Sequence, residues 1–254
     1  MKNIFKNIVL FSFLIISCTK NDGIESNVNN SYPYKEQVGY SANDILSNNT
    51  YTSILIEVMY VDGFKPTSTV LTNLTNFISD RSYKLDITIE EKLINIITQE
   101  TYSIDDVRDI EDANRTMFTN ENQLVISAIF LNGNSNSNTD SSVILGTAYR
   151  NTSFVVFEET VHSFSDDTFE PSRSVLETTV VLHEFCHLLG LVNVGTSMVN
   201  SHQDIEHGAH CTIEDCLMNY QIENGFKFSN WLGGEQIPEL DSFCIEDLRA
   251  NGGK

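Results

Sequence analysis

The sequence predicts one α/β domain built on a mixed, mostly parallel twisted sheet, on three observations. Its 254 residues suit one substantial domain and are few for two. Hydrophobic residues make up 41% of the chain and aromatic ones 10%, enough for an ordinary core. Strand-like and helix-like runs alternate from Tyr51 onward, and several strands then precede one long apolar helix, an order that fits helices packed on a sheet.

The elements follow in turn. Tyr51–Val61 is β-branched and aromatic, hence a strand, and Gly63 and Pro66 break it. Pro66 then sits near the first turn of a helix to about Asp80, whose Val70, Leu71, Leu74, Phe77 and Ile78 recur at helical spacing. A second strand falls within Tyr83–Ile89, with Glu90–Ile97 open between strand and loop. Ser103 before Asp105 and Asp106 marks a helix start, and that helix ends before Thr119. Gln123–Leu131 reads as a buried strand and Asn132–Ser142 as a loop. Two short strands, Val143–Tyr149 and Ser153–Phe157, meet at a turn around Arg150 and Asn151. Ser172 to Leu189 is helical, started near Pro171 or Ser172 and stopped by Gly190.

Upstream, Lys2 and Lys6 precede an apolar run, Ile8–Ile16, too short to span a bilayer and built like a secretory signal. Its ending, Leu14-Ile-Ile-Ser-Cys18, resembles the lipobox of bacterial lipoproteins. The resemblance implies a signal peptide over residues 1–17, lipid on Cys18, and an extracytoplasmic, membrane-anchored protein at the outer membrane or cell surface. Residues 18–49, rich in Asn and Ser, read as a flexible tether, leaving residues 50–254 as the domain. Asp and Glu number 35 against 15 Lys and Arg, a formal charge of −20 that repels phosphate backbones and excludes nucleic acid as a partner.

The chemistry lies in His183-Glu-Phe-Cys-His187. Residues four apart on a helix share a face, so both imidazoles can reach one cation. Neutral imidazoles suit Zn²⁺ at about 2.0–2.1 Å, and a catalytic zinc keeps one position for water. Glu184 is rotated about 100° from His183 and about 60° from His187, beside the metal face, where a general base belongs. Five of the six histidines crowd between His183 and His210, which adds to the case for a metal.

His183-Glu-Phe-Cys-His187-Leu-Leu-Gly190 resembles the opening of the metzincin motif, and His210-Cys-Thr-Ile-Glu-Asp-Cys216-Leu-Met218 is similar to its ending in archaemetzincins. The resemblance spans Val181 to Tyr220. It implies a zincin fold with an active-site helix, peptide-bond hydrolysis, His210 as third zinc ligand, and Met218 in a turn beneath the metal. It also implies that Leu145–Tyr149 is an edge strand receiving extended peptide by main-chain pairing. Two departures stand out. At the family spacing after Gly190 this chain has Asn193, a poor zinc donor, and His210 arrives after an insertion carrying His202 and His207 as further candidates. Cys244-Ile-Glu-Asp247 replaces a Cys-x-x-Cys pair, so Cys211, Cys216, Cys244 and Asp247 could hold a second, structural zinc, with a Cys211–Cys216 disulfide as the competing arrangement.

Cys186 reads as a packed thiol, and His162 and Trp231 as structural. Glu158 and Glu159, placed on a strand, would face opposite sides and form no dyad. A gluzincin-type site with Glu206 as third ligand conflicts with Gly190 and lacks a following helix. The function these readings favour is zinc-dependent hydrolysis of extracytoplasmic peptides or proteins. The other class is a non-catalytic lipoprotein that captures metal or a partner protein, for which Glu184 would be superfluous.

Overall fold

A computed structural model describes residues 32–140, 142–168, 170–222 and 236–254. Cys18 with its signal run, and Trp231, lie outside the described residues.

Four parallel strands and one antiparallel edge strand form the main sheet: β1 (Ser53–Tyr60), β2 (Asp86–Leu93), β4 (Gln123–Leu131), β7 (Ser153–Phe157) and β6 (Gly146–Arg150). Their order is β2-β1-β4-β7-β6, and only β6–β7 is antiparallel. β4 has eight of nine residues buried, as a strand covered on both faces must. A second, two-stranded sheet pairs β3 (Thr101–Tyr102) with β5 (Asn134–Ser135), the latter inside the stretch expected to be loop. Both the fold class and the parallel character of the sheet agree with the sequence reading.

Helices α2 (Ser68–Arg81) and α5 (Arg173–Leu188) pack together over one face, around Ile54, Ile56, Ile126, Phe154, Leu176 and Val180. The other face is closed by α3 (Ile104–Asn114) with Tyr102, Val107, Ile129 and Phe157. Ser103 caps α3 reciprocally with Asp106, as its sequence predicts. Thr67 caps α2, with Pro66 directly before it.

The folded region begins earlier than composition suggests. Residues 32–49, read as tether, lie on the domain: Tyr32 is buried, and α1 (Ala42–Leu46) buries Ala42, Ile45 and Leu46. Asn151 ties the segment to the β6–β7 turn through Glu36 and the Pro33 carbonyl. Four well-placed apolar side chains and one asparagine outweigh a polar average.

A second correction concerns Glu158 and Glu159. They begin a short helix, α4 (Glu158–Ser163), and Glu158 is fully buried beside Glu177 of α5 and Arg173. The dyad partner comes from another element, which sequence neighbours cannot reveal.

Candidate metal centres

Helix α5 carries His183, Glu184 and His187, all buried. It stops at Gly190, whose φ of +69° and whose 2.7 Å clearance from a built Cβ to the Thr196 nitrogen exclude a side chain. The chain turns away there, runs out through a loop and comes back, with the Asp204 amide donating to the His210 carbonyl and the Thr212 amide to that of His202. This hairpin returns His210 to the helix, so the insertion closes on itself.

The side-chain nitrogens of His183, His187 and His210 lie within 4.8 Å of one another. Nδ1 of His183 bonds the Leu217 carbonyl at 2.7 Å, and Nδ1 of His210 the His207 carbonyl at 2.7 Å. Each bond fixes a tautomer that leaves Nε2 as the lone-pair face turned inward. The Nε2 atoms of His183 and His187 are 3.1 Å apart. Two nitrogens on a tetrahedral zinc at about 2.0–2.1 Å would be separated by roughly 3.3 Å, so the pair fits the ion. Burial, and then the two neighbouring imidazoles, hold His187 well below the usual histidine range, neutral as a ligand must be. Met218 is fully buried and directly follows Leu217, whose carbonyl orients His183.

Glu184 Oε2 accepts the Ala148 amide of β6 at 2.7 Å. Because the Phe157 amide donates to Leu145 on the β7 side, alternation turns Gly146 and Ala148 toward the free edge. Glu184 therefore stands against the outer edge of β6.

The other third-ligand candidates lie elsewhere. Asn193 is exposed in a left-handed conformation (φ +66°). His207 is on the surface, stacked on Tyr220 and bonded to Asp204. Glu206 is exposed.

His202 joins the cysteine cluster that the sequence reading expected on Cys211, Cys216, Cys244 and Asp247, a membership it missed. Its Nδ1 is 3.2 Å from Cys211 Sγ and 3.9 Å from Cys244 Sγ, and Cys216 Sγ is 3.7 Å from Cys244 Sγ. Asp247, expected as a donor here, instead bonds His202 Nε2 from behind at 2.9 Å. A carboxylate in that position orients an imidazole toward a metal. Burial alone would lower His202, but its bonds to Asp247 and Cys211 outweigh that and raise it. All four described cysteines are free thiols, so the Cys211–Cys216 disulfide is not formed. Cys186 is one of them, buried in the core as expected.

Asp241 also approaches, its Oδ2 3.0 Å from Cys211 Sγ, but it caps α6 (Ser242–Ala250) by accepting the Phe243 and Cys244 amides. Cys216 is the better fourth donor by its softness. Backbone amides of Met218 and Asp241 point at Cys216 Sγ (3.3 and 3.5 Å), and that of Ile213 at Cys211 Sγ (3.5 Å). Hydrogen bonds from the Cys216 and Cys244 thiols hold Cys211 well below the usual thiol range and push the two donors up. Three sulfurs and one imidazole make a donor set suited to structural zinc. The sequence signal was present only as a histidine without a fixed spacing, which no helical or Cys-x-x-Cys rule detects.

No family model and no curated protein sequence matches this chain. Among solved structures the fold is similar to the archaemetzincin of Methanopyrus kandleri, with a TM-score of 0.53 and 15% identity. The match covers 79% of this chain and 96% of that one. At that identity the likeness speaks for the fold.

Proposed function

We propose that this chain is a zinc-dependent metallopeptidase that hydrolyses extracytoplasmic peptides or proteins, with His183, His187 and His210 as the ligands of the catalytic zinc. One observation carries the reading: three inward-turned imidazoles meet beside a carboxylate that an edge strand holds in place. A zinc ion held by these three histidines would supply Lewis acidity and would bring the pKa of a water to about 7. Glu184 takes the proton from the attacking water and returns it to the leaving amine, a contribution of about 10²–10⁴-fold. The outward-facing edge of β6 receives an extended substrate by strand addition, with the Ala148 amide already given to Glu184 and the Gly146 carbonyl to the Thr147 hydroxyl. Met218 forms the turn under the histidines. The similarity to an archaemetzincin fold supports the assignment.

A second, structural zinc on Cys211, Cys216, Cys244 and His202 is part of the proposal. Its support is the cluster of His202, Cys211, Cys244 and Asp241, with Cys216 Sγ 3.7 Å from Cys244 Sγ, and the Asp247 bond behind His202. The ion would brace the hairpin that presents His210, since His202 and Cys211 sit on its two arms. A lipid on Cys18 would hold the enzyme at a membrane outside the cytoplasm.

The test is metal content and casein or gelatin cleavage measured together in wild type and Glu184→Gln. We expect two zinc per chain in both, with activity nearly abolished in the variant. Near-normal turnover in Glu184→Gln overturns the mechanism, and zinc-loaded wild type without activity favours a metal- or protein-binding lipoprotein.

A further inference from the structure

Glu184 is held by two residues of β6 that act in opposite ways: Ala148 reaches it with an amide, and Gly146 makes room for it. The structure assigns Gly146 as the positioning residue for the base, an inference that rests on the peptidase reading above. A Cβ at Gly146 would lie 2.7 Å from Glu184 Cγ, 3.0 Å from Glu184 Oε1 and 2.9 Å from Val180 Cγ1. Carbon contacts this short do not persist, so something must shift. The glycine is not required by its backbone, because Gly146 is absent from the glycines of positive φ. Close approach of helix to strand is the reason left.

The surroundings decide what gives way. Val180 is buried one helical turn before Glu184 on the same helix, packed in the main core, so α5 cannot roll to relieve the contact. β6 is fixed on its inner side by β7. The Glu184 side chain is the movable part, and swinging it away from a Cβ at 146 also pulls Oε2 off the Ala148 amide, now at 2.7 Å. The carboxylate then leaves the place from which it collects the proton. Neither His183 nor His187 is among the atoms nearest a Cβ at 146, so the clash itself leaves the zinc ligands in place. Substrate pairing changes little, because β6 stays in register on β7 and only the Ala148 amide loses its partner.

Gly146→Ala is therefore expected to lower kcat about 10–100-fold, the cost typical of a misplaced catalytic group, with KM within about twofold and zinc content unchanged. A purely structural glycine would show no such split. The second measurement uses no activity at all. The urea midpoint shift caused by Gly146→Ala is compared in zinc-free wild type and zinc-free Glu184→Ala, where Cγ and Oε1 are gone. We expect the shift to be distinctly smaller in the Glu184→Ala background, a coupling that exists only if the two side chains compete for space. Equal shifts in the two backgrounds, or an unchanged kcat in active Gly146→Ala, overturn the inference. If wild type has no peptidase activity, the functional reading fails, while the coupling still decides whether Gly146 places Glu184. Should Gly146→Ala not fold, the same comparison is made on a Val180→Ala parent, which removes the remaining close contact.

Discussion

Glu177→Gln should make the domain more stable at alkaline pH and flatten its pH dependence. Glu158 and Glu177 are both fully buried. Burial first, against the opposing charge of Arg173, pushes Glu158 from 4.5 to about 7. Burial and then the charge of Glu158 push Glu177 from 4.5 to about 8, against Arg173 and the Thr67 contact. Around the pair stand Arg173 at 3.8 Å from Glu158, the His162 ring at 3.2 Å from it, and the Thr67 amide at 3.2 Å from Glu177. Burial keeps His162 below its usual range, so it adds little positive charge at neutral pH. A carboxyl whose folded pKa is raised contributes its full stability below about 4.5 and loses it as pH climbs through about 7 to 8. Moving one carboxyl that far is worth on the order of 3 kcal/mol at about 1.4 kcal/mol per tenfold, and the two cannot be added because they interact. Glutamine at 177 still accepts from Thr67 and donates to Glu158, which then ionises beside Arg173. The assay is urea unfolding of wild type and variant from pH 5 to 9 at constant ionic strength. Taking the difference cancels zinc and histidine contributions common to both. The variant should gain roughly 1 M in midpoint at pH 9 relative to pH 5 for a urea dependence of about 2–3 kcal/mol per M. Parallel curves would refute the shared-proton pair.

His202→Ala should lose one equivalent of metal and also weaken zinc at His183, His187 and His210, read by titration with a competing chelator; retention of two equivalents would count against the second centre. Gly190→Ala should cost at least about 1 kcal/mol in urea unfolding, because its φ is +69° and Thr196 blocks the Cβ. Lys84→Met should cost about 1–3 kcal/mol, since Lys84 Nζ donates to the buried carbonyl groups of Asp44, Ser47 and Tyr51, which methionine leaves unpaired.

What the sequence disclosed divides by how far apart the interacting residues are. β4 runs from Gln123 to Leu131, as its mostly apolar run predicts, because a strand buried on both faces writes itself into consecutive residues. The cap at Ser103 and the stop at Gly190 were equally legible, one a local hydrogen-bond and the other a dihedral requirement, while Ser172 begins α5 without a side-chain cap bond. The segment from Tyr32 to Leu46 was misread because its anchors are few and bind distant partners, Asn151 among them. The Glu158–Glu177 pair was hidden for the same reason, its members lying on two helices joined by a loop.

The site shows the same division within one constellation. His183, Glu184 and His187 could be assigned because a helix turns sequence spacing into distance. No such rule connects His187 to His210 or Cys211 to His202, since each pair is joined through a loop whose path depends on tertiary pairing. Asn193 had the expected spacing and lies exposed, whereas His210 had the right chemistry and lies with the other two histidines. Donor chemistry was thus the better guide wherever the chain leaves regular structure. At the second cluster the same preference for soft donors would have ranked His202 above Asp247, because an imidazole outbids a carboxylate among thiolates. The carboxylate then finds its use one bond further out, on His202 Nε2. His210 and Cys211 are adjacent yet belong to different clusters, so the hairpin carries a member of each. A chain built that way ties the position of a proposed catalytic ligand to the integrity of a site that touches no substrate.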